Sequence, residues 1–216
     1  MEQSERAFLD VEASLSNQRW VERANRQQLG QAEQMHDEHG MDRLIARILA
    51  GRNVAAEEAV PFLNPTLRDL MPDPSSLTAM DEAAARIADA VERKEKVAVF
   101  GDYDVDGASS SALVFKLFSH FGLQCEVYIP DRIFEGYGPN GSAIEELAAR
   151  GANLLITVDC GSTSHGAIDR ANQLDMEVVV LDHHQVSDQL PDALAVVNPN
   201  RDDDLSAQGH LCAAGV

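Results

Sequence analysis

"VFGDYDVDGASSS" (99–111) sets Asp102, Asp104 and Asp106 at alternate positions directly after an apolar run. Carboxylates held a few ångströms apart repel one another, so a counter-charge must hold these three together. Calcium in an EF-hand loop is one answer, because "DYDVDG" matches the first six positions of that motif. It fails at position twelve, where Leu113 stands in place of the bidentate glutamate. It fails again upstream, where "KVAVFG" (96–101) reads as a strand and an EF-hand needs a helix.

The chain on either side places this stretch in a fold. "QCEVYIP" (124–130), "ANLLITVDCG" (152–161), "MEVVVLDHH" (176–184) and "LAVVNPN" (194–200) are further short apolar runs. Helical spacing lies between them, over about 108–121, 140–151 and 164–174. Strands that read as unbroken apolar runs and alternate with helices predict a parallel sheet covered on both faces. The expectation is therefore α/β, a Rossmann-like parallel β-sheet flanked by helices over 96–216, with a helical N-terminal extension over 1–95. In that extension "MDRLIARILAGRNV" (41–54) places Met41, Leu44, Ile45, Ile48 and Leu49 on one face, with Gly51 as a stop. "PFLNPTLRDLMPDPSSL" (61–77) carries four prolines and reads as an extended crossing segment. "AMDEAAARIADAVERKEK" (79–96) reads as a helix capped by Asp81 or Thr78.

The totals bound the function. The chain has 216 residues, 44% of them hydrophobic and 25% charged, which is an ordinary soluble mixture. No apolar run reaches the length of a membrane span, and "MEQSERAFLD" (1–10) has the character of neither a secretory signal nor a transit peptide. Three widely spaced cysteines (125, 160, 212) argue against a disulfide framework or zinc ribbon and suit a reducing cytoplasm. A formal charge of −19 argues against loose electrostatic attraction to nucleic acid. Divalent cations held by carboxylates would invert that field locally.

Ligands bind such sheets at the carboxyl ends of the strands. The first predicted strand ends at Asp102, Asp104 and Asp106, the third at Asp159, and the fourth at Asp182, His183 and His184. Carboxylates and imidazoles on one edge fit two divalent ions sharing a carboxylate, Mn²⁺ especially and Mg²⁺ as the harder alternative. Two ions about 3.5–4 Å apart activate a water and stabilise the leaving oxygen of a phosphoester. A helix opening with "ASSS" (108–111) would offer free N–H groups as a phosphate seat.

These residues resemble the DHH phosphoesterase superfamily, whose defining motif stands here as Asp182-His183-His184. "VAVFGDYDVDGASSSALV", "IPDRIFEGYGPN", "LLITVDCGSTSHGAI" and "VVVLDHHQVSDQLPDALAVVNPN", in that order, are similar to its bacterial single-stranded-DNA exonuclease branch, over residues 40–216 in all. The resemblance implies a 5′→3′ exonuclease that hydrolyses phosphodiester bonds of single-stranded DNA with Mn²⁺ or Mg²⁺, in recombinational and mismatch repair. It puts the metal ligands and catalytic groups on Asp104, Asp106, Asp159, His183 and His184. Asp159 would bridge the ions, and His184 either ligates or faces the scissile phosphate. Asp102 and Asp182 would support these ligands from behind, Asp182 by orienting a histidine. Ser109, Ser110, Arg132 and Tyr137 are the candidate substrate contacts, Arg132 for a phosphate and Tyr137 for a base or sugar.

The resemblance further implies a cytoplasmic monomer that works with a single-stranded-DNA-binding protein and a RecQ-type helicase, away from membranes. Other DHH relatives take oligonucleotides, cyclic dinucleotides or pyrophosphate, and some bind replication proteins without catalysis. "RIFEGYG" and the N-terminal extension favour the exonuclease branch. Two departures stand out: Phe100 occupies a place where many relatives carry a metal-binding histidine, and a later ligand aspartate of the family has no counterpart before Val216. The DHH domain is therefore read as truncated, with the DHHA1 and oligonucleotide-binding domains absent and the chain alone weak or inactive. "NPNRDDD" (198–204) reads as a solvated turn, Cys160 as a buried small residue, and His36 and His39 as a solvated helix end.

Overall fold

The structure is a computed structural model that describes residues 7–186 and 189–216, and the backbone alone of Asp69. Residues 1–6, on which part of the reading of the N-terminus rests, lie outside the described residues, as do Ser187 and Asp188. No helix among the described residues is long and apolar enough to cross a membrane.

The chain forms two compact units, 1–71 and 72–216. In the first, α1 (Arg26–His39) is opened by a capping box. Asn25 Oδ1 accepts from the Gln28 N–H, and Gln28 Oε1 accepts from the Asn25 N–H, each at 2.9 Å. Helix α2 (Arg43–Ala50) starts on Asp42 and stops at Gly51, as the spacing predicts. Its face is not the expected one: Ala46, Leu49 and Ala50 are buried with Ala32 and Met35 of α1, whereas Leu44, Ile45 and Ile48 are exposed. His39 is exposed at the end of α1, as read, and His36 is half-buried. Their ring nitrogens bond the backbone carbonyls of Met41 and Ala56, at 2.7 and 3.0 Å. The proline-rich segment is not extended either. It makes α3 (Ala59–Leu63), α4 (Leu67–Leu70) and a 3-10 turn (Pro74–Ser76), with prolines at or beside the helix starts, where a missing N–H costs nothing.

The second unit begins earlier than the expected division at 95/96. Helix α5 (Met80–Arg93) belongs to it because Ala83 and Ala90 are buried against the sheet. Neither Asp81 nor Thr78 caps this helix. Ala79 enters at φ +66°, and the Thr78 N–H donates to Asp204 Oδ2 at 2.8 Å. The sheet holds five parallel strands: β1 (Val97–Gly101), β2 (Cys125–Tyr128), β3 (Leu154–Val158), β4 (Glu177–Leu181) and β5 (Ala195–Val197), in the order β2-β1-β3-β4-β5. All five are the predicted strands, each shorter than its apolar run. The crossovers are α6 (Val105–His120), α7 (Gly141–Ala149) and α8 (His165–Gln173). Alternate strand residues serve two cores. Ala98, Phe100, Leu155, Val178 and Val180 meet Ile144, Leu147 and Ile168, while Val97, Val99, Leu154, Ile156 and Val179 meet Ala83, Ala90 and Phe118.

Two features of the sheet position everything that follows. The strand order reverses between β1 and β3, and at such a switch point the loops part and leave a crevice. The register also aligns Gly101 with Val158, Val158 with Leu181, and Leu181 with Val197. The next residue of each strand, Asp102, Asp159, Asp182 and Asn198, therefore falls in one row along the carboxyl edge.

Candidate metal centre

That row is polar and buried. Asp102, Asp159, Asp182 and Asn198 are 5%, 1%, 2% and 0% exposed, so none can be satisfied by bulk water. Asp182 is satisfied by the protein. Its Oδ1 accepts from the His183 N–H at 2.7 Å, the His184 N–H at 3.2 Å and His184 Nδ1 at 2.7 Å, and its Oδ2 accepts from the Ser162 N–H at 3.1 Å. Burial works against its charge, but the His184 and Ser162 bonds hold its pKa below the usual carboxylate value. His184 is exposed, and although partial burial opposes it, the same Asp182 contact raises its pKa.

Asp159 is the opposite case. Among the described residues, neither of its carboxylate oxygens is hydrogen-bonded, nor is Oδ1 of Asp102. Burial first, then the charges of Asp106 and Asp104, push the Asp159 carboxyl up to about 7. Its backbone sits at φ +60°, a left-handed conformation that aspartate tolerates better than most residues. Two orphaned buried oxygens on a strained residue at a switch point indicate a ligand the protein itself does not supply.

The neighbours of Asp159 are metal donors on two sides. One ligand atom from each of Asp159, His183 and His184 lies within 4.8 Å of the others, and the same holds for Asp102, Asp104 and Asp159. His183 Nε2 approaches Asp159 Oδ1 at 3.2 Å and Asp106 Oδ2 at 3.5 Å. Asp159 thus belongs to both groups. The donor set, hard oxygens with borderline imidazole, fits Mn²⁺ or Mg²⁺.

Helix α6 supplies Asp104 and Asp106. Asp104 is its N-cap, and Oδ1 accepts from the N–H groups of Asp106 and Gly107 at 2.9 and 3.0 Å. These bonds, the Gly107 one foremost, hold its pKa below the usual value. A Cβ on Gly107 would lie 2.4 Å from the Asp102 carbonyl oxygen, so only glycine lets the first turn of α6 seat on the strand end. Asp106 accepts from the N–H groups of Ala213 and Ala214 at 2.8 and 2.9 Å.

The expected substrate contacts divide. The phosphate seat at "ASSS" does not form, because α6 begins three residues earlier than predicted and its opening N–H groups are taken by Asp104. Ser109 Oγ donates to the Val105 carbonyl at 2.6 Å, and Ser110 is buried. Tyr137 is brought in: its hydroxyl donates to the Asp159 carbonyl at 3.1 Å and lies 3.2 Å from His184 Nδ1. Burial and the Asp182 charge push its phenol pKa up, so it remains a neutral donor. Glu135 orders this loop, accepting from Tyr128 Oη at 2.5 Å and from the Asp131 N–H at 2.7 Å. Arg132 stands over the ring of Tyr103, the residue between Asp102 and Asp104 in the chain, at 5.3 Å. Phe100, in the place of the missing histidine, is buried and stacks on Tyr128 at 5.3 Å, so it contributes packing. Cys160 is buried, as read.

The largest departure is "NPNRDDD". Residues 199–203 do turn and Asp202 and Asp203 are exposed, but Asn198 is fully buried. Asn198 Nδ2 donates to Ser162 Oγ at 2.8 Å and to the His184 carbonyl at 3.0 Å, and Asn200 Nδ2 donates to the His183 carbonyl. Arg201 binds the Val196 carbonyl at 2.5 Å. Only its position next after a strand end marks Asn198 in the sequence, as it does for Asp102, Asp159 and Asp182.

Comparison with known proteins accords with this geometry. The model of the DHH family, N-terminal domain, matches residues 96–216, more than half of the chain. The chain belongs to the DHH family. The single-stranded-DNA-specific exonuclease RecJ of Bacillus subtilis (strain 168) is 38% identical to it over 170 residues, 78% of this chain and 21% of that protein. RecJ of Escherichia coli (strain K12) is 32% identical over 174 residues, 80% of this chain and 30% of the other. A crystal structure of exonuclease RecJ bound to manganese superposes with a TM-score of 0.59 at 33% identity, covering 65% of this chain and 35% of that one. The chain thus spans about a fifth to a third of the length of these relatives. All the DHH motif residues fall in the part that matches the family.

Proposed function

We propose that this protein is a metal-dependent phosphodiesterase that degrades single-stranded DNA from its 5′ end. The observation that carries the reading is Asp159, whose buried oxygens lack donors and stand between the Asp102–Asp104 and His183–His184 groups. Asp104, Asp106, Asp159, His183 and His184 would hold two ions, Mn²⁺ or Mg²⁺, with Asp159 shared. Such ions, when bound, lower the pKa of a water and neutralise charge developing on phosphate oxygens. The residues around them hold that arrangement. Asp182 keeps His184 Nδ1 protonated and so leaves Nε2 as the nitrogen with a free lone pair. Tyr137 pins the loop beside His184, and Arg132 is placed to meet a phosphate of the strand.

Similarity to RecJ proteins supports single-stranded DNA as the substrate over a dinucleotide or pyrophosphate. It supports, by the same resemblance, a place in recombinational and mismatch repair in the cytoplasm beside a single-stranded-DNA-binding protein and a helicase. The division read from sequence, a helical extension over 1–95 before a DHH domain over 96–216, is proposed as the functional division, while the compact sheet unit itself begins at residue 72.

The test incubates the full-length product of the gene with Mn²⁺ and end-labelled oligonucleotides, alongside duplex DNA and a dinucleotide. Mononucleotides released from the 5′ end of the single strand alone are the expected result. Cleavage of the dinucleotide alone would replace the DNA reading with a small-substrate one.

A further inference from the structure

Metal-ligating histidines are usually oriented through the ring nitrogen that does not bind the ion. His184 follows that rule through Asp182, whereas His183 presents Nε2 to Asp106 and Asp159 from a segment without helix or strand. Something else must fix the backbone that carries it. Asp182 Oδ1 accepts both N–H groups, of His183 and of His184. On the carbonyl side, Asn200 Nδ2 donates to His183 and Asn198 Nδ2 donates to His184 at 3.0 Å. Both residues are therefore gripped at nitrogen and at oxygen.

The grip is itself determined. The Asn200 N–H donates to Asn198 Oδ1 at 2.8 Å, which fixes that atom as the acceptor and turns Nδ2 toward the His184 carbonyl. The same Nδ2 donates at 2.8 Å to Ser162 Oγ, and the Ser162 N–H donates to Asp182 Oδ2. Asn198, Ser162 and Asp182 close a buried ring of bonds around the histidine turn, with every contact of the Asn198 amide used. An aspartate of the same size would set an acceptor against the His184 carbonyl and lose both donors.

We infer that Asn198, with Asn200 and Ser162, is a positioning residue of the metal centre that sets the His183 and His184 donors by holding their backbone carbonyls. The inference rests on the metal reading given above. It makes the end of β5, which contributes no ligand, a determinant of metal affinity.

The experiment titrates the protein with Mn²⁺ and follows free Mn²⁺ by electron paramagnetic resonance, for wild type, Asn198→Asp, Asn200→Ala and Leu154→Val. Affinity is expected to fall about 10–100-fold in Asn198→Asp and by a smaller factor in Asn200→Ala. Hydrolysis by both should recover toward the wild-type rate at saturating Mn²⁺. Leu154→Val, at the far end of β3, should lower the melting temperature and leave Mn²⁺ affinity unchanged. Wild-type affinity in Asn198→Asp would overturn the inference and leave the metal reading intact. Should Asn198→Asp fail to fold, unchanged affinity in Asn200→Ala overturns it instead. A wild-type protein that takes up no Mn²⁺ removes the metal reading, and the inference with it.

Discussion

The body of the sheet and its carboxyl edge lie one residue apart and obey different rules. Inside, Val97–Phe100, Leu154–Ile156 and Val178–Val180 are buried, apolar and paired along the ladder. One step past Gly101, Val158 and Leu181, the same strands deliver Asp102, Asp159 and Asp182 into almost complete burial, with oxygens that make no hydrogen bond on the first two. Burial stabilises the interior and destabilises the edge, because a buried charge without a partner is costly. A protein keeps such an edge only if something other than folding depends on it.

The sharpest way to break the contrast is to remove the shared ligand. Asp159→Ala should lower Mn²⁺-dependent hydrolysis about a thousandfold, the several kcal/mol that a displaced metal would have supplied. Single-turnover cleavage of a 5′-labelled strand reads this directly, and near-normal rates would show that Asp159 is no ligand. Metal supply and removal come next. Mn²⁺ at a hundredfold excess over its dissociation constant should add about 2.7 kcal/mol, which raises the melting temperature by about 5–10 °C, and a chelator should reverse it. An unshifted melting curve would mean that the edge is balanced some other way.

Asp159→Asn separates the two roles of the carboxylate. Asparagine tolerates the left-handed backbone and removes the repelled charge, so metal-free protein should melt about 2–4 °C higher, near 1 kcal/mol, while the Mn²⁺ shift disappears. A variant less stable than wild type without metal would refute the claim that the edge is destabilised by this charge. The smallest effect belongs to the interior. Ile156→Val should cost about 1 kcal/mol by thermal unfolding and keep the full Mn²⁺ shift, since it removes one buried methylene well back from the ligands.

Much of this was legible in the sequence, because local rules govern it. Five apolar runs became five parallel strands, and the aspartates and histidines written after them became the edge, since a parallel strand buried on both faces leaves a recognisable run and its carboxyl end is where ligands bind. Tertiary structure decided what depends on register and on partners distant in the chain. That Asp102, Asp159, Asp182 and Asn198 share one row follows from the pairing of Gly101, Val158, Leu181 and Val197, which no single segment encodes. Ser110 is buried because α6 starts at Val105, a start set by the Asp104 cap and by the close seat of Gly107 on Asp102. Asn198 and Asn200 read locally as a turn, since Asn-Pro usually is one. Their amides meet the histidine carbonyls only when β5 pairs with β4, so the sequence wrote out the candidate ligands and the fold supplied what holds them.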